Sequence, residues 1–148
     1  MALTPVLLSA SVGLLIATTM GCLYRGAISS TRVSARRGWQ SADVLVERGE
    51  RVEIRARGTW LYTPGEYHGP QGHERYRAPE FYPLPDVPGG ALIGRIGRDG
   101  EPFYVGDSFD FRARRAGRLF LRIDDDMLSD NEGHVTVEVT IRPGRSGD

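Results

Sequence analysis

From Gly117 to Ile141 the chain runs strand, acidic loop, strand, and this stretch most limits the folds available to it. Leu119, Leu121 and Ile123 alternate with outward positions, as do Val135, Val137, Val139 and Ile141. A period of two marks half-buried strands that rest one face on a core. Between them stand Asp124, Asp125, Asp126, Asp130, Asn131 and Glu132. So many oxygen donors on one loop repel each other unless water or a cation neutralises them. Rigid strands that hold crowded carboxylates suit a hard cation, calcium above all. The spacing is not that of an EF-hand, and the flanks are strands rather than helices.

The rest of the body repeats the pattern. Short apolar-alternating segments at Val33–Ala35 or near Trp39, then at Asp43–Val46, Val52–Arg57 and Thr59–Tyr62, form a first group. A second group is Ala91–Ile96, Pro102–Val105, Ser108–Ala113, Leu119–Ile123 and His134–Ile141. Gly-bearing turns such as Glu47–Glu50, Gly97–Gly100 and Arg115–Gly117 separate them. No sustained helical period occurs outside the N-terminus. The expected fold is therefore all-β, a jelly-roll-like β-sandwich, preceded by one apolar N-terminal helix. The expected boundaries are an anchor or signal over 1–24, a linker over 25–37, a sandwich domain over 38–143 and a tail over 144–148.

Thr63 to Gly89 separates the two groups and carries six prolines and the aromatics Tyr67, Tyr76, Phe81 and Tyr82. Long structureless loops in compact domains serve function or stay disordered. Proline lowers the entropy lost in fixing such a loop. Its rings then either offer rigid contact surface to a sugar or protein, or pack down over one end of the sandwich.

The N-terminal segment is apolar from Val6 to Leu23, with no charged side chain before Arg25. Eighteen helical residues rise about 27 Å, enough to span a bilayer core. Three readings stay open: an uncleaved anchor spanning residues 5–23, a lipoprotein signal lipidated on Cys22, and a cleaved signal peptide. Arg25, Arg32, Arg36 and Arg37 follow the apolar run, which by the positive-inside rule favours a cytoplasmic domain. A calcium-bearing sandwich fits the calcium-rich outside better, so the domain is expected in the periplasm or on the outer surface.

Three further motifs join the acidic loop. Gly58, Trp60 and Tyr62 come first, then Gly69-Pro70-Gln71-Gly72, then Gly90-Ala91-Leu92 with Ile96-Gly97. With Asp124-Asp125 and Asp130-Asn131-x-Gly133, in that order, they resemble the calcium-dependent galactophilic lectin family of bacteria. The resemblance runs from about Val33 to Arg142. It implies one calcium held by the last loop and by backbone carbonyls, with sugar hydroxyls completing the shell. Asp125 then stands at the first ligand aspartate, and Asp130 and Asn131 at a pair of amides. Tyr62 stands at a position that gives its backbone carbonyl. The acidic loop is two residues shorter than in that lectin, and Leu128 is the nearest candidate for the second carbonyl. Around the sugar, Gln71 is kept, His73 replaces an aspartate, Tyr76 replaces a histidine and Pro79 replaces a glutamine. Gln71, His73 and Tyr76, with Tyr67, are the expected ligand contacts, and the changes around them argue that the galactose ligand has changed or gone.

Composition narrows the remaining functions. Nineteen basic residues, all arginine, balance nineteen acids, so no general attraction to nucleic acid or anionic lipid arises. Cys22 is the only cysteine, which rules out an intrachain disulfide. His68, His73 and His134 fit no zinc-binding spacing. No nucleophile stands beside a base, and a glycosidase needs two carboxylates across a cleft rather than on one loop. The expectation is thus a non-catalytic, membrane-anchored binding module for a carbohydrate or glycan. Its alternative is an accessory subunit of a membrane protein complex.

Overall fold

Nine strands carry the alternation into three dimensions in the computed structural model, which describes residues 26–144. They are β1 (Ile28–Ser34), β2 (Gln40–Val46), β3 (Arg51–Thr63), β4 (Glu66–His68), β5 (Leu92–Ile96), β6 (Phe103–Tyr104), β7 (Ser108–Arg112), β8 (Gly117–Ile123) and β9 (Glu132–Arg142). All pairings are antiparallel. One sheet runs β1-β9-β3, and the long β3 then pairs with β7 along its first half and with β4 along its second. The other sheet runs β2-β8-β5-β6. Successive strands mostly cross from one sheet to the other, the wrapped order of a jelly roll.

Two inward faces meet in one core. Val52, Ile54 and Trp60 of β3 and Val135, Val137, Val139 and Ile141 of β9 are fully buried. They pack with Val44 and Val46 of β2 and Leu119, Leu121 and Ile123 of β8. Phe103, Phe109 and Phe111 close one flank, with ring centroids 5.2–5.6 Å apart. Burying each such side chain stabilises the fold by about 1.5–3 kcal/mol against leaving it in water.

The segment expected as a linker is instead largely β1. It pairs with β9 from Ile28 opposite Thr140 to Ser34 opposite His134. Val33 and Ala35 are buried, and Ser29 Oγ donates to the Ala42 carbonyl at 2.8 Å. The short hydroxyl residues satisfy themselves on backbone, so an inward face built from Ser and Thr carries little hydrophobic signal. Gln40 closes the turn that follows by accepting from Ser34 N at 3.0 Å and donating to Ser34 O at 2.9 Å. The sandwich thus begins at Ile28 rather than at residue 38.

The anchor over 5–23, its helix and Cys22 lie outside the described residues. Among the described residues, no helix is long and apolar enough to cross a membrane.

Candidate cation and ligand site

The acidic loop leaves β8 in a way that breaks the alternation. Ile123, Asp124 and Asp125 are buried in succession. The main chain explains this: Asp124 N donates to Ala91 O at 2.8 Å, and Gly90 N donates back to Asp124 O at 2.9 Å. Trp60 Nε1 holds the Gly90 carbonyl at 2.9 Å. The Asp124 side chain reaches the long loop, where Leu84 N donates to Oδ1 at 3.0 Å. Its other oxygen, Oδ2, is buried without a donor. Burial pushes its carboxyl up to about 7, against the pull of the Leu84 amide and the Arg122 guanidinium.

Asp125 and Asn131 close the loop on itself. Asn131 Nδ2 donates to Asp125 Oδ2 at 2.8 Å and to Ala35 O at 3.3 Å. Both partners are acceptors, which fixes the amide orientation and leaves Asn131 Oδ1 buried and without a donor. Burial raises the Asp125 pKa, while the Asn131 amide, the Met127 N–H and the Tyr82 hydroxyl oppose that rise. Arg122 Nη2 donates to the Asp125 carbonyl at 2.6 Å, and burial lowers the pKa of this guanidinium. Each buried polar atom without a partner needs a physical reason. Asn131 Oδ1, buried without a donor next to the Asp125 carboxylate, fits a hard cation by the chemistry of the donor set.

A cleft of about 530 Å³ opens over this loop. Asp125, Asp130 and Tyr62 line it together with His73 and Tyr76 from the long loop. Asn131 lies behind Asp125, while Asp130 is exposed at the rim. Leu128 is half-buried against the core. The Tyr62 ring packs on the backbone of Gly90, and its hydroxyl lies 3.0 Å from that of Tyr82. Burial pushes the Tyr62 hydroxyl up to about 12 and drives that of Tyr82 further in the same direction.

The long loop is ordered by its own main chain rather than structureless. It contains β4, a bridge between Arg77 and Pro88, and Leu92 N donating to Pro70 O at 2.7 Å. Tyr82 packs toward the core, whereas Tyr67, Tyr76 and Phe81 stay exposed. Gln71 and Tyr67 line a second hollow of about 420 Å³ beside the first, with His73 between the two.

That second hollow corrects the reading of the histidines. Their spacing fits no zinc motif, yet the fold brings His68 and His73 together with Glu66. Glu66, His68, Asp124 and Tyr82 are the residues that sequence reasoning passed over. Asp124 left a trace as one of the crowded carboxylates, Tyr82 as one of the loop aromatics and His68 as one of the histidines, but Glu66 left none.

No protein-family model matches the chain, and no curated protein matches it. Among solved structures, the N-terminal domain of EclA, described as a PllA-like lectin, superposes with a TM-score of 0.60 at 24% identity. The match covers 77% of this chain and 96% of that domain. The chain therefore has the β-sandwich fold of a PllA-like lectin.

Proposed function

We propose that the protein is a non-catalytic carbohydrate-binding module whose ligand cleft is assisted by calcium. The observation that carries this reading is the cleft itself. In a sandwich of lectin fold, it joins the oxygen-rich loop of Asp125, Asp130 and Asn131 to the Tyr62, His73 and Tyr76 side. Asp125, Asp130, Asn131 Oδ1 and the Tyr62 carbonyl would hold the ion. A bound Ca²⁺ would offer open positions to vicinal hydroxyls, and Tyr76, 45% exposed, would offer its face to the ring. His73, Tyr76 and Pro79 do not reproduce the hydrogen-bonding set of the galactophilic lectins, so the sugar differs from galactose. An anchor over residues 5–23 and display in the periplasm or on the outer surface complete the proposal.

The test is calorimetric titration of calcium into the chelator-stripped full chain in detergent, followed by a glycan array on the loaded protein. Saturable calcium binding with calcium-dependent glycan retention supports the reading. Calcium binding without any glycan points to the accessory-subunit alternative, in which exposed Phe81, Tyr67 and Met127 contact a protein. Failure to bind calcium refutes the cation assignment.

A further inference from the structure

Outside the acidic loop, one cluster gathers ligand chemistry of a different kind. Glu66 and His68 are two apart on β4, so their side chains leave the same face of the strand. His73 comes from the turn after Gly69, which Gly72 N closes on Gly69 O at 3.1 Å. His73 N in turn donates to Gly89 O at 2.9 Å, which fixes the histidine against the far end of the loop. The two rings lie side by side with centroids 4.5 Å apart. Their Nε2 atoms stand 3.4 Å and 3.3 Å from Glu66 Oε2. One ligating atom from each residue lies within 4.8 Å of the others.

Those separations have a geometric meaning. A tetrahedral zinc with donors at about 2.0–2.1 Å places any two of them about 3.3–3.4 Å apart. Both nitrogen-to-oxygen distances already match that edge. We propose that Glu66, His68 and His73 form a site for a borderline transition metal, Zn²⁺ foremost, separate from the oxygen-donor loop. Two imidazoles and one carboxylate are the wrong donors for calcium and the right ones for zinc. The histidine side chains are 17% and 21% exposed and Glu66 is 59% exposed, so a fourth position faces solvent. Glu74 and Arg75 line the same hollow with opposite charges, which leaves Glu66 to set its sign.

Two local bonds must give way. Thr63 Oγ1 lies 3.2 Å from His68 Nε2 and yields to the metal. The Arg75 amide donates to His73 Nδ1 at 3.1 Å. A metal on Nε2 moves the ring proton to Nδ1, so that bond opens and the amide turns to water. Both bonds are at or near the surface, so their loss tempers affinity without blocking the site.

The experiment uses the full chain carrying Cys22→Ser and His134→Ala, so that neither residue competes for metal. Zinc is titrated against a chromogenic chelator, and cobalt(II) is read by its visible absorption. The expected result is one zinc per chain, intense cobalt bands of a four-coordinate site, and no displacement by millimolar calcium. His68→Asn and His73→Asn should each weaken zinc by about tenfold or more. Glu66→Gln alters an exposed side chain and should weaken zinc without lowering the melting temperature of the metal-free protein. Absence of a stoichiometric site overturns the proposal. Zinc affinity unchanged in Glu66→Gln and in both histidine variants overturns it equally.

Discussion

Gly90→Ala tests the packing that floors the ligand cleft. Gly90 sits at φ +71°, and a methyl group there would lie 2.4 Å from Tyr62 Cγ. Two costs add. Holding a residue with a Cβ in the left-handed region costs about 1–2 kcal/mol. Forcing a methyl into a filled contact costs about 1–3 kcal/mol. The variant should therefore lose about 2–5 kcal/mol, and at about 4 °C per kcal/mol for a domain of this size the melting point drops by about 8–20 °C. Gly49→Ala is the control: its φ is +93°, yet nothing lies within 4 Å of the added methyl. It pays the backbone cost alone, so urea denaturation of the two variants should differ by the packing cost of about 1–3 kcal/mol. Tyr62→Ala in the Gly90→Ala background should then cost less than it does alone, since it removes the Cγ and Cδ1 that the methyl meets. Equal losses in Gly90→Ala and Gly49→Ala would falsify the claim that the Tyr62 ring is seated on Gly90.

Trp60→Phe removes the donor to the Gly90 carbonyl and part of a fully buried ring, and should destabilise by about 2–4 kcal/mol in urea melts. Asp125→Asn removes a charge from the proposed calcium shell and should weaken calcium by about tenfold or more in calorimetry. Unchanged affinity would take Asp125 out of the shell. Asp124 carries a pH dependence. Its folded value of about 7 stands above the ordinary 3.8, so its contribution to stability is present below pH 3.8 and is lost as pH rises through 7. The gap amounts to about 4 kcal/mol at most. In chelator, Asp124→Asn should gain on wild type as pH climbs from 4 to 8, and a constant difference across that range would count against a buried carboxyl.

The legible part of the fold is the part that alternates apolar with polar. β8 and β9 could be drawn from Leu119–Ile123 and Val135–Ile141, because their inward residues are aliphatic without exception. β1 was legible only at its Val33 end, since Ser29 and Thr31 stand in its inward register ahead of the buried Val33 and give no apolar alternation. The acidic loop was visible as a crowd of carboxylates, but not which of Asp124, Asp125 and Asp126 turns inward. That choice depends on Ala91 and Leu84, more than thirty residues away, whose backbone groups meet Asp124. The Glu66–His68–His73 cluster was hidden for a related reason. It depends on a three-residue strand inside a proline-rich loop, and its carboxylate has no place in a search over histidine spacing.

His73 ties the two proposed sites together. Its ring borders both the oxygen-lined cleft and the hollow of Glu66 and His68. A zinc ion on Nε2 would fix that ring and open the Arg75 bond on its other nitrogen, and Arg75 also lines the cleft. Any ligand that touches His73 or Arg75 must then bind differently with and without the metal. Linkage makes the effect mutual: whatever factor zinc adds to glycan affinity, the glycan adds to zinc affinity. Glycan retention measured on calcium-loaded protein, with and without zinc, reads that factor directly. The same comparison in Glu66→Gln, which borders only the hollow, should return a factor near one at a zinc concentration that loads the wild type but not the weakened variant. A zinc effect that survived in Glu66→Gln would mean that the metal acts from somewhere else on the protein.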